Sequence, residues 1–296
     1  MGNNLKTVFR AVRAAATRDP DLRVSRLYQL SDPAVQFADR DTRYINIGYW
    51  PTDETTVDEA GDALAMKLAD AAGFSAGQKI LDVGCGYGDQ DFLWVRERNP
   101  EHIHAVDIVP GQIEGARQRA SAESLTGKLA FHVGSATALP FADGTFDRVV
   151  ALDAPFHFNT RDAFFREAFR VLRPGGILAV IDTVPLDRST QLKEFRSPKF
   201  NFYRFSVPAE NWHDREEYAR RLAAAGYLNS TVESIREFTW VAWFRHWSQL
   251  KRDAAARNDL NEKSAAVIER DWADVEQIKR ELDLLDHVLA VAEKPR

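Results

Sequence analysis

Residues 80–89 read Ile-Leu-Asp-Val-Gly-Cys-Gly-Tyr-Gly-Asp, a short apolar run that ends in three closely spaced glycines. Such a run is typical of a buried parallel strand, because helices cover both faces of the sheet that contains it. Glycine adopts backbone conformations that other residues avoid, so the turn after the strand lets backbone amides approach a ligand closely. The stretch predicts a strand, a turn and a helix with a nucleotide-type ligand at the turn.

Strand-like and helix-like segments alternate beyond this turn. The predicted strands lie at 79–84, 102–106, 129–133, 146–151, 176–182, 230–236 and 287–295. The predicted helices between them lie at 88–98, 111–122, 161–171 and 214–225. Parallel strands need crossover connections, so this alternation predicts an α/β fold with a doubly wound, mostly parallel, seven-stranded sheet.

Helical regions flank this alternation and divide the chain into four parts. Residues 1–72 carry helical spacing at 5–17, 21–38 and 55–72, which predicts an N-terminal helical lid. Residues 240–285 read as two helices, the first of them rich in tryptophan, before the last strand. The predicted parts are a lid at 1–72, a core at 73–238, a helical cap insertion at 239–285 and the last core strand at 286–296.

The bulk properties exclude several classes of protein. The net charge is −5 and basic residues are spread along the chain, which argues against nucleic acid or an anionic membrane as partner. A single cysteine, Cys85, excludes an internal disulfide framework, and no acidic cluster predicts a metal. The N-terminus lacks the apolar core of a signal peptide and no run predicts stable membrane insertion, so we expect a cytoplasmic protein. A homo-oligomer stays possible.

The glycine spacing distinguishes two cofactor classes. Dinucleotide sites favour G-x-G-x-x-G, with a pyrophosphate at the helix N-terminus. Here the spacing is G-x-G-x-G, and Asp82 stands two residues before Gly84. A carboxylate there would repel a pyrophosphate but suits the cationic ammonium of S-adenosylmethionine (SAM). Asp107 closes the second strand and can accept from ribose hydroxyls, a role that fits either cofactor.

Four segments in succession carry a resemblance to a known family: DVGCGYG (82–88), VDIVPGQIEGAR (106–117), GSATALPFADGTFDRVV (134–150) and FREAFRVLRPGGILAV (165–180). In this order they resemble motifs of class I SAM-dependent methyltransferases over about residues 79–182. The resemblance implies a Rossmann-like fold, SAM as cofactor and S-adenosylhomocysteine as its product. Residues 43–50, just before this region, resemble a segment of a subset of small-molecule methyltransferases that includes the tocopherol and macrolide-sugar O-methyltransferases, which implies a small-molecule acceptor.

The resemblance also implies which residues hold SAM. Asp82, Gly84 and Gly86 would line the methionine end, Asp107 would bind the ribose and Gln112 the ribose or methionine part, and Ile108, Ser135 and Ala136 would contact the adenine. Cys85 and Leu152 complete the set of cofactor-binding residues that the resemblance implies. One departure concerns Ser135, because many relatives have an aspartate there that accepts from the adenine amine. A serine hydroxyl accepts such a bond more weakly. Cys85 reads as a small residue fitted into a tight turn, since no histidine base stands beside it.

Two polar residues follow the fourth strand, where doubly wound sheets place their chemistry. Asp153 and His157 flank a short apolar segment there. Phosphoethanolamine methyltransferases are similar in placing an aspartate and a histidine after this strand. By that resemblance we expect His157 to act as general base and Asp153 to orient the acceptor or bind its amine. The alternative for His157 is a wall residue that moves no proton.

Aromatic residues supply further candidates for acceptor binding. Residues 43–50 resemble a lid segment of small-molecule methyltransferases, in which Tyr44, Tyr49 and Trp50 would close over the site. Tyr203, Trp212 and Trp243 would lie on the same side of the sheet. For both groups the alternative is structural, an aromatic staple in the first case and core packing in the second.

The sequence favours methyl transfer from SAM to an oxygen or nitrogen of a small, partly lipophilic metabolite, plausibly in secondary metabolism. C-methylation of an isoprenoid or aromatic ring is the alternative, because aromatic walls stabilise a developing carbocation. A SAM-binding protein without catalysis and an NAD-dependent oxidoreductase are remote alternatives. Labelled methyl transfer distinguishes the first two, and binding of NAD without SAM would indicate the last.

Overall fold

The computed structural model describes residues 17, 19–29, 40–201, 203–253, 256 and 260–296. Most of the predicted helix at 5–17 and the second half of the helix predicted at 21–38 lie outside these residues. The described strands are β1 (Lys79–Val83), β2 (His102–Asp107), β3 (Leu129–Val133), β4 (Phe146–Leu152), β5 (Leu172–Pro185), β6 (Leu228–Ser234) and β7 (Leu285–Glu293).

The described helices flank these strands. They are α1 (Pro20–Tyr28), α2 (Val57–Ala72), α3 (Asp89–Arg98), α4 (Pro110–Ala122), α5 (Arg161–Val171), α6 (Tyr203–Ser206), α7 (Arg215–Ala224), α8 (Trp240–Arg252), α9 (Glu262–Asp271) and α10 (Val275–Leu282). Short 3₁₀ helices lie at Pro155–His157, Leu192–Glu194, Ala209–Asn211 and Arg236–Phe238.

The strands form one sheet in the order β3-β2-β1-β4-β5-β7-β6. β1 runs parallel to both β2 and β4, and β7 is antiparallel to both β5 and β6. The chain order reverses between β1 and β4, which is the switch point where doubly wound sheets open a crevice. The predicted α/β fold with a seven-stranded, mostly parallel sheet is confirmed.

Apolar side chains cover both faces of the sheet. One core joins β1 and β2 to α2 and α3, and includes Leu64, Ile80, Phe92 and Trp94. The other packs α5 and α7 against β4 and β5, and includes Phe146, Phe164 and Tyr218. Helix α2 is fixed at both ends, by a capping box between Thr56 and Glu59 and by Gly73 in the left-handed conformation.

Two local predictions differ from the structure. Residues 240–285 hold three helices among the described residues rather than two, because the polar residues near Asp274 cap a separate helix α10. β5 extends from Leu172 to Pro185, beyond the predicted strand at 176–182, because β7 pairs with it as far as Pro185. Strand pairing between distant segments sets this length, and a single segment does not reveal it.

Candidate active site

A cleft of about 890 Å³ opens at the carboxyl ends of β1, β2, β3 and β4. Helix α1 and residues 43–46 close it from the other side. The cleft is lined by twelve of the residues that the sequence predicts for the site: Tyr44, Gly84, Cys85, Gly86, Asp107, Ile108, Gln112, Ser135, Ala136, Leu152, Asp153 and His157. The topology thus brings cofactor and acceptor candidates into one space.

The glycine turn after β1 lies in contact with the loop after β4. Gly84 has φ +85, and a Cβ built there would lie 2.3 Å from Ala154 Cβ, so a larger residue would force the two loops apart. Gly86 has φ +57, and its nearest neighbour would be Ile45 Cδ1 at 3.7 Å. The turn therefore leaves room beside Gly86 for a ligand to approach the backbone.

Asp107 joins the ends of β1 and β2. Its Oδ2 accepts from the Gly86 backbone amide at 2.9 Å, and its Oδ1 accepts from the Val109 amide at 2.8 Å. Burial raises the pKa of this carboxyl, and the bonds from the backbone amides oppose that effect. Each carboxylate oxygen can accept more than one hydrogen bond, so the group can still accept from vicinal hydroxyls in the cleft.

Asp82 lies beneath the turn rather than in the cleft lining. It is fully buried, and its Oδ2 accepts from Gln90 Nε2 at 2.9 Å. Asp91 of α3 is fully buried beside it, and burial raises the pKa of both carboxyls, to about 7 for Asp82. Two adjacent buried carboxyls cannot both ionise cheaply, so they retain a proton between them.

At the end of the cleft beyond β3, Ser135 meets a residue of α1. The Ser135 hydroxyl donates to Asp21 Oδ2 at 2.6 Å, and its oxygen accepts from the Thr137 amide at 3.3 Å. Asp21, Val24 and Tyr28 all line the cleft. Their i, i+3, i+7 spacing places them on one face of the helix.

His157 follows β4 in the chain and lies beside Tyr28, at the end of α1 opposite to Asp21. Its Nδ1 lies 3.2 Å from the Ser206 carbonyl oxygen, and its Nε2 lies 2.9 Å from the Tyr28 hydroxyl. A carbonyl only accepts, so Nδ1 carries the proton, and the neutral Nε2 accepts from Tyr28. Burial lowers the pKa of His157 to about 4. The imidazole is therefore neutral at physiological pH, with its acceptor nitrogen toward Tyr28.

Asp153 lines the cleft and connects three segments. Its Oδ1 lies 2.6 Å from His287 Nε2, and its Oδ2 accepts from the Ile47 amide at 3.1 Å. Its φ of +52 is unusual for a residue other than glycine. Its two hydrogen bonds thus tie this part of the cleft wall to β7 and to Ile47.

Five predicted acceptor residues are not brought to the cleft lining: Tyr49, Trp50, Tyr203, Trp212 and Trp243. Trp50, Tyr203 and Trp243 are buried in an aromatic core that joins α8 to the segment 195–212. Tyr49 stacks on Phe238, and Trp212 packs against this core. Packing of large apolar surfaces accounts for their positions, which is the structural alternative stated for them.

Three residues of the site carried no sequence prediction: Asp21, Tyr28 and His287. Asp21 and Tyr28 lie on a predicted helix, and their spacing with Val24 was the available signal. His287 lies in an apolar strand, and it is the only polar residue in the run 287–291. Each reaches its partner across more than a hundred residues of chain, as the 134-residue separation of His287 from Asp153 shows.

Comparison with known proteins identifies the family. A family model described as a methyltransferase domain matches residues 81–180. Erythromycin 3''-O-methyltransferase from Saccharopolyspora erythraea is 40% identical over 260 residues, which cover 85% of this chain and 84% of that protein. This chain belongs to the SAM-dependent methyltransferases.

Solved structures share the fold of this methyltransferase. The [4+2]-cyclase SpnF has a TM-score of 0.70 at 24% identity, covering 92% of this chain and 95% of its own. Geranyl diphosphate C-methyltransferase from Streptomyces coelicolor A3(2), in complex with Mg²⁺, geranyl diphosphate and S-adenosyl-L-homocysteine, has a TM-score of 0.69 at 18% identity. That match covers 95% of this chain and 99% of its own. The cofactor of this methyltransferase is SAM.

The cleft fits that cofactor on its own chemistry. Asn46 lines the cleft and its Nδ2 is buried without a hydrogen-bond partner, so a donor stays unsatisfied there. Arg43, a cation, also lines the cleft. Within the described ranges, no cluster of three or more metal-ligating side chains occurs, and no helix is both long and apolar enough to cross a membrane.

Proposed function

We propose that this methyltransferase transfers a methyl group to a hydroxyl of a large, partly lipophilic natural product, with a sugar hydroxyl of a macrolide glycoside as the first candidate. The similarity to erythromycin 3''-O-methyltransferase extends over most of both chains, which supports an acceptor of that class. The apolar surfaces of Val24, Leu152 and Phe158 in the cleft suit such an acceptor.

One observation carries the assignment of a proton acceptor in the cleft: the neutral imidazole of His157 directs Nε2 to the Tyr28 hydroxyl at 2.9 Å. SAM, held by Asp107 and the Gly84–Gly86 turn, would supply an electrophilic methyl group for transfer to the acceptor oxygen. The hydroxyl must then lose its proton, and we assign that proton to Nε2 of His157. It reaches Nε2 through the Tyr28 hydroxyl, which passes its own proton to Nε2 as it receives that of the acceptor, because the one lone pair of Nε2 already accepts from Tyr28.

The chain's residues hold this arrangement ready. The Ser206 carbonyl fixes the His157 tautomer, since Nδ1 donates to it. Burial raises the pKa of Tyr28, and the charges of Asp107 and Asp153 raise it further, so its hydroxyl stays protonated and donates to His157. We assign Asp107 to the cofactor ribose, the Gly84–Gly86 turn to the methionine end and Asp153 to the wall of the cleft after β4.

The experiment is an incubation of the purified chain with deuteromethyl-labelled SAM and a panel of macrolides with free sugar hydroxyls. Mass spectrometry detects a labelled product, and NMR locates the methyl group. A labelled sugar ether supports the proposal. A label on ring carbon would establish C-methylation and remove the need for a base at His157. No label on any acceptor, with SAM bound, would contradict the proposed acceptor class.

Two variants test the role of His157 in the same assay. His157→Gln should lower kcat by about 10²-fold or more, the usual contribution of a general base, while SAM affinity stays within about threefold. Tyr28→Phe removes the hydroxyl through which the proton passes and should lower kcat by a similar factor. Unchanged turnover in His157→Gln would make this residue a wall of the cleft.

Three further expectations belong to this proposal. We infer that the methyltransferase works in secondary metabolism, as the class of its relative suggests, and in the cytoplasm, where SAM is available. A homo-oligomer stays possible and is tested by light scattering of the purified chain.

A further inference from the structure

Helix α1 carries a carboxylate into the cofactor cleft. Asp21 lies in the first turn of α1, and its Oδ2 accepts from the Ser135 hydroxyl at 2.6 Å. Asp19 caps the same helix by accepting from the Leu22 amide at 3.1 Å. The positive end of the helix dipole favours a carboxylate in this turn, and Asp21 lines the cleft.

The order of the strands shows which part of SAM lies there. The glycine turn follows β1, Asp107 ends β2, and Gly134–Ala136 follow β3, so these three groups succeed one another along the edge of the sheet. SAM has the same linear order, with the methionine part and the base on opposite sides of the ribose. With the ribose at Asp107 and the methionine part at the turn, the base would come beside Ser135 and Asp21.

The hydrogen bonds at Ser135 decide which of the two side chains accepts from the base. Adenine offers an exocyclic amine, a donor that needs an acceptor. The Ser135 hydroxyl donates its one hydrogen to Asp21, and its oxygen already accepts from the Thr137 amide. Asp21 has four lone-pair sites and a full charge, so it is the stronger acceptor.

We propose that Asp21 of α1 accepts the hydrogen bond from the exocyclic amine of the cofactor's adenine, and that Ser135 holds the carboxylate in position. Helix α1 thus forms part of the cofactor site and selects adenine over a purine with a carbonyl oxygen at the same ring position. This inference depends on SAM as cofactor and not on the identity of the methyl acceptor.

The test measures binding of two ligands by calorimetry, S-adenosylhomocysteine and its deaminated analogue S-inosylhomocysteine. The analogue replaces the amine with a carbonyl oxygen, which a carboxylate repels. We expect the wild type to prefer S-adenosylhomocysteine by roughly tenfold or more, the usual effect of a hydrogen bond to a charged group. Asp21→Ala should abolish most of that preference, and Asp21→Asn should narrow it, because an amide can donate to the carbonyl.

Two controls keep the result interpretable. Asp19→Ala removes a carboxylate of the same helix that caps α1 and does not line the cleft, so it should keep the wild-type ratio of the two affinities. Ser135→Ala should keep most of the preference. If Asp21→Ala weakens both ligands equally, the residue serves only to pack α1, and the inference is wrong. If Ser135→Ala alone abolishes the preference, Ser135 is the acceptor. The ratio of the two affinities does not depend on the methyl acceptor, so it can be measured even if the chain methylates no macrolide.

Discussion

His287 Nε2 lies 2.6 Å from Asp153 Oδ1, so a fully buried side chain of β7 meets the residue that follows β4. The other oxygen of Asp153 accepts from the Ile47 amide at 3.1 Å. One carboxylate therefore connects the late strand β7, the loop after β4 and the segment that closes the cleft. Asp153 therefore holds the segments of the site together in addition to lining the cleft.

Replacement of His287 tests that connection. His287→Ala removes the donor to Asp153 and leaves a cavity, so we expect the free energy of unfolding to fall by about 2–4 kcal/mol. His287→Gln keeps a donor and should lose less. Denaturant unfolding measures both, and His246→Ala, which removes an imidazole that packs on Trp50, is the control. Wild-type stability in His287→Ala would show that the bond contributes nothing.

The buried imidazole of His157 predicts a pH-dependent stability. Its pKa is about 4 in the folded chain, whereas an unfolded histidine titrates near pH ~6.5. Between these values the unfolded chain binds more protons, so acid destabilises the fold, by up to about 3 kcal/mol from this group. His157→Gln should show a shallower loss of stability between about pH 6.5 and pH 4. Parallel curves for the two proteins would refute the assignment.

The carboxyl pair beneath the glycine turn predicts the opposite trend. Burial raises the pKa of both Asp82 and Asp91, so the folded chain keeps a proton that the unfolded chain releases near pH ~4. The stability from this protonated pair is present below that pH and is lost as the pH rises toward about 7.

Asp91→Asn supplies an amide donor at all pH values. The unfolding free energy of the variant minus that of the wild type should therefore increase from pH ~5 to pH ~8, as measured by urea unfolding. Asp70→Asn, a change at an exposed carboxylate that pairs with Arg98, is the control and should show no such gain. An equal difference at both pH values would mean that the pair carries no shared proton.

Asp107 provides a binding prediction. Asp107→Ala removes the carboxylate assigned to the ribose, so affinity for S-adenosylhomocysteine should fall by roughly tenfold or more in calorimetry. Asp107→Asn keeps one acceptor oxygen and should lose less. The unfolding free energy of each variant separates ligand contact from support of the turn, since Asp107 also accepts from the Gly86 amide. Unchanged affinity in Asp107→Ala would contradict the ribose role.

Local sequence patterns predicted the part of the site that local structure builds. The glycines after β1 and Asp107 at the end of β2 each depend on a few neighbouring residues, and parallel pairing brings their strands together in register. The apolar runs therefore predicted the fold class, and the resemblance to a known family supplied most of the residues that line the cleft.

Long-range packing sets the remaining contacts, and no single segment encodes them. Tyr28 meets His157 across 129 residues, and Asp21 meets Ser135 across 114. The same limit applies to the tryptophans of α8, whose spacing suits a core and a pocket equally well. The fold buries Trp243 against Trp272 of a separate segment, which the sequence does not indicate.

The position of β7 between β5 and β6 has a consequence for biosynthesis. β7 is the last of the described strands to leave the ribosome, yet β6 pairs with no other strand, and β5 needs β7 to cover its second edge. Until residues 285–293 emerge, two strands of the nascent chain expose unpaired backbone groups, which invite association with other chains. His287 arrives in the same interval, so the cleft wall at Asp153 is completed only when the sheet is.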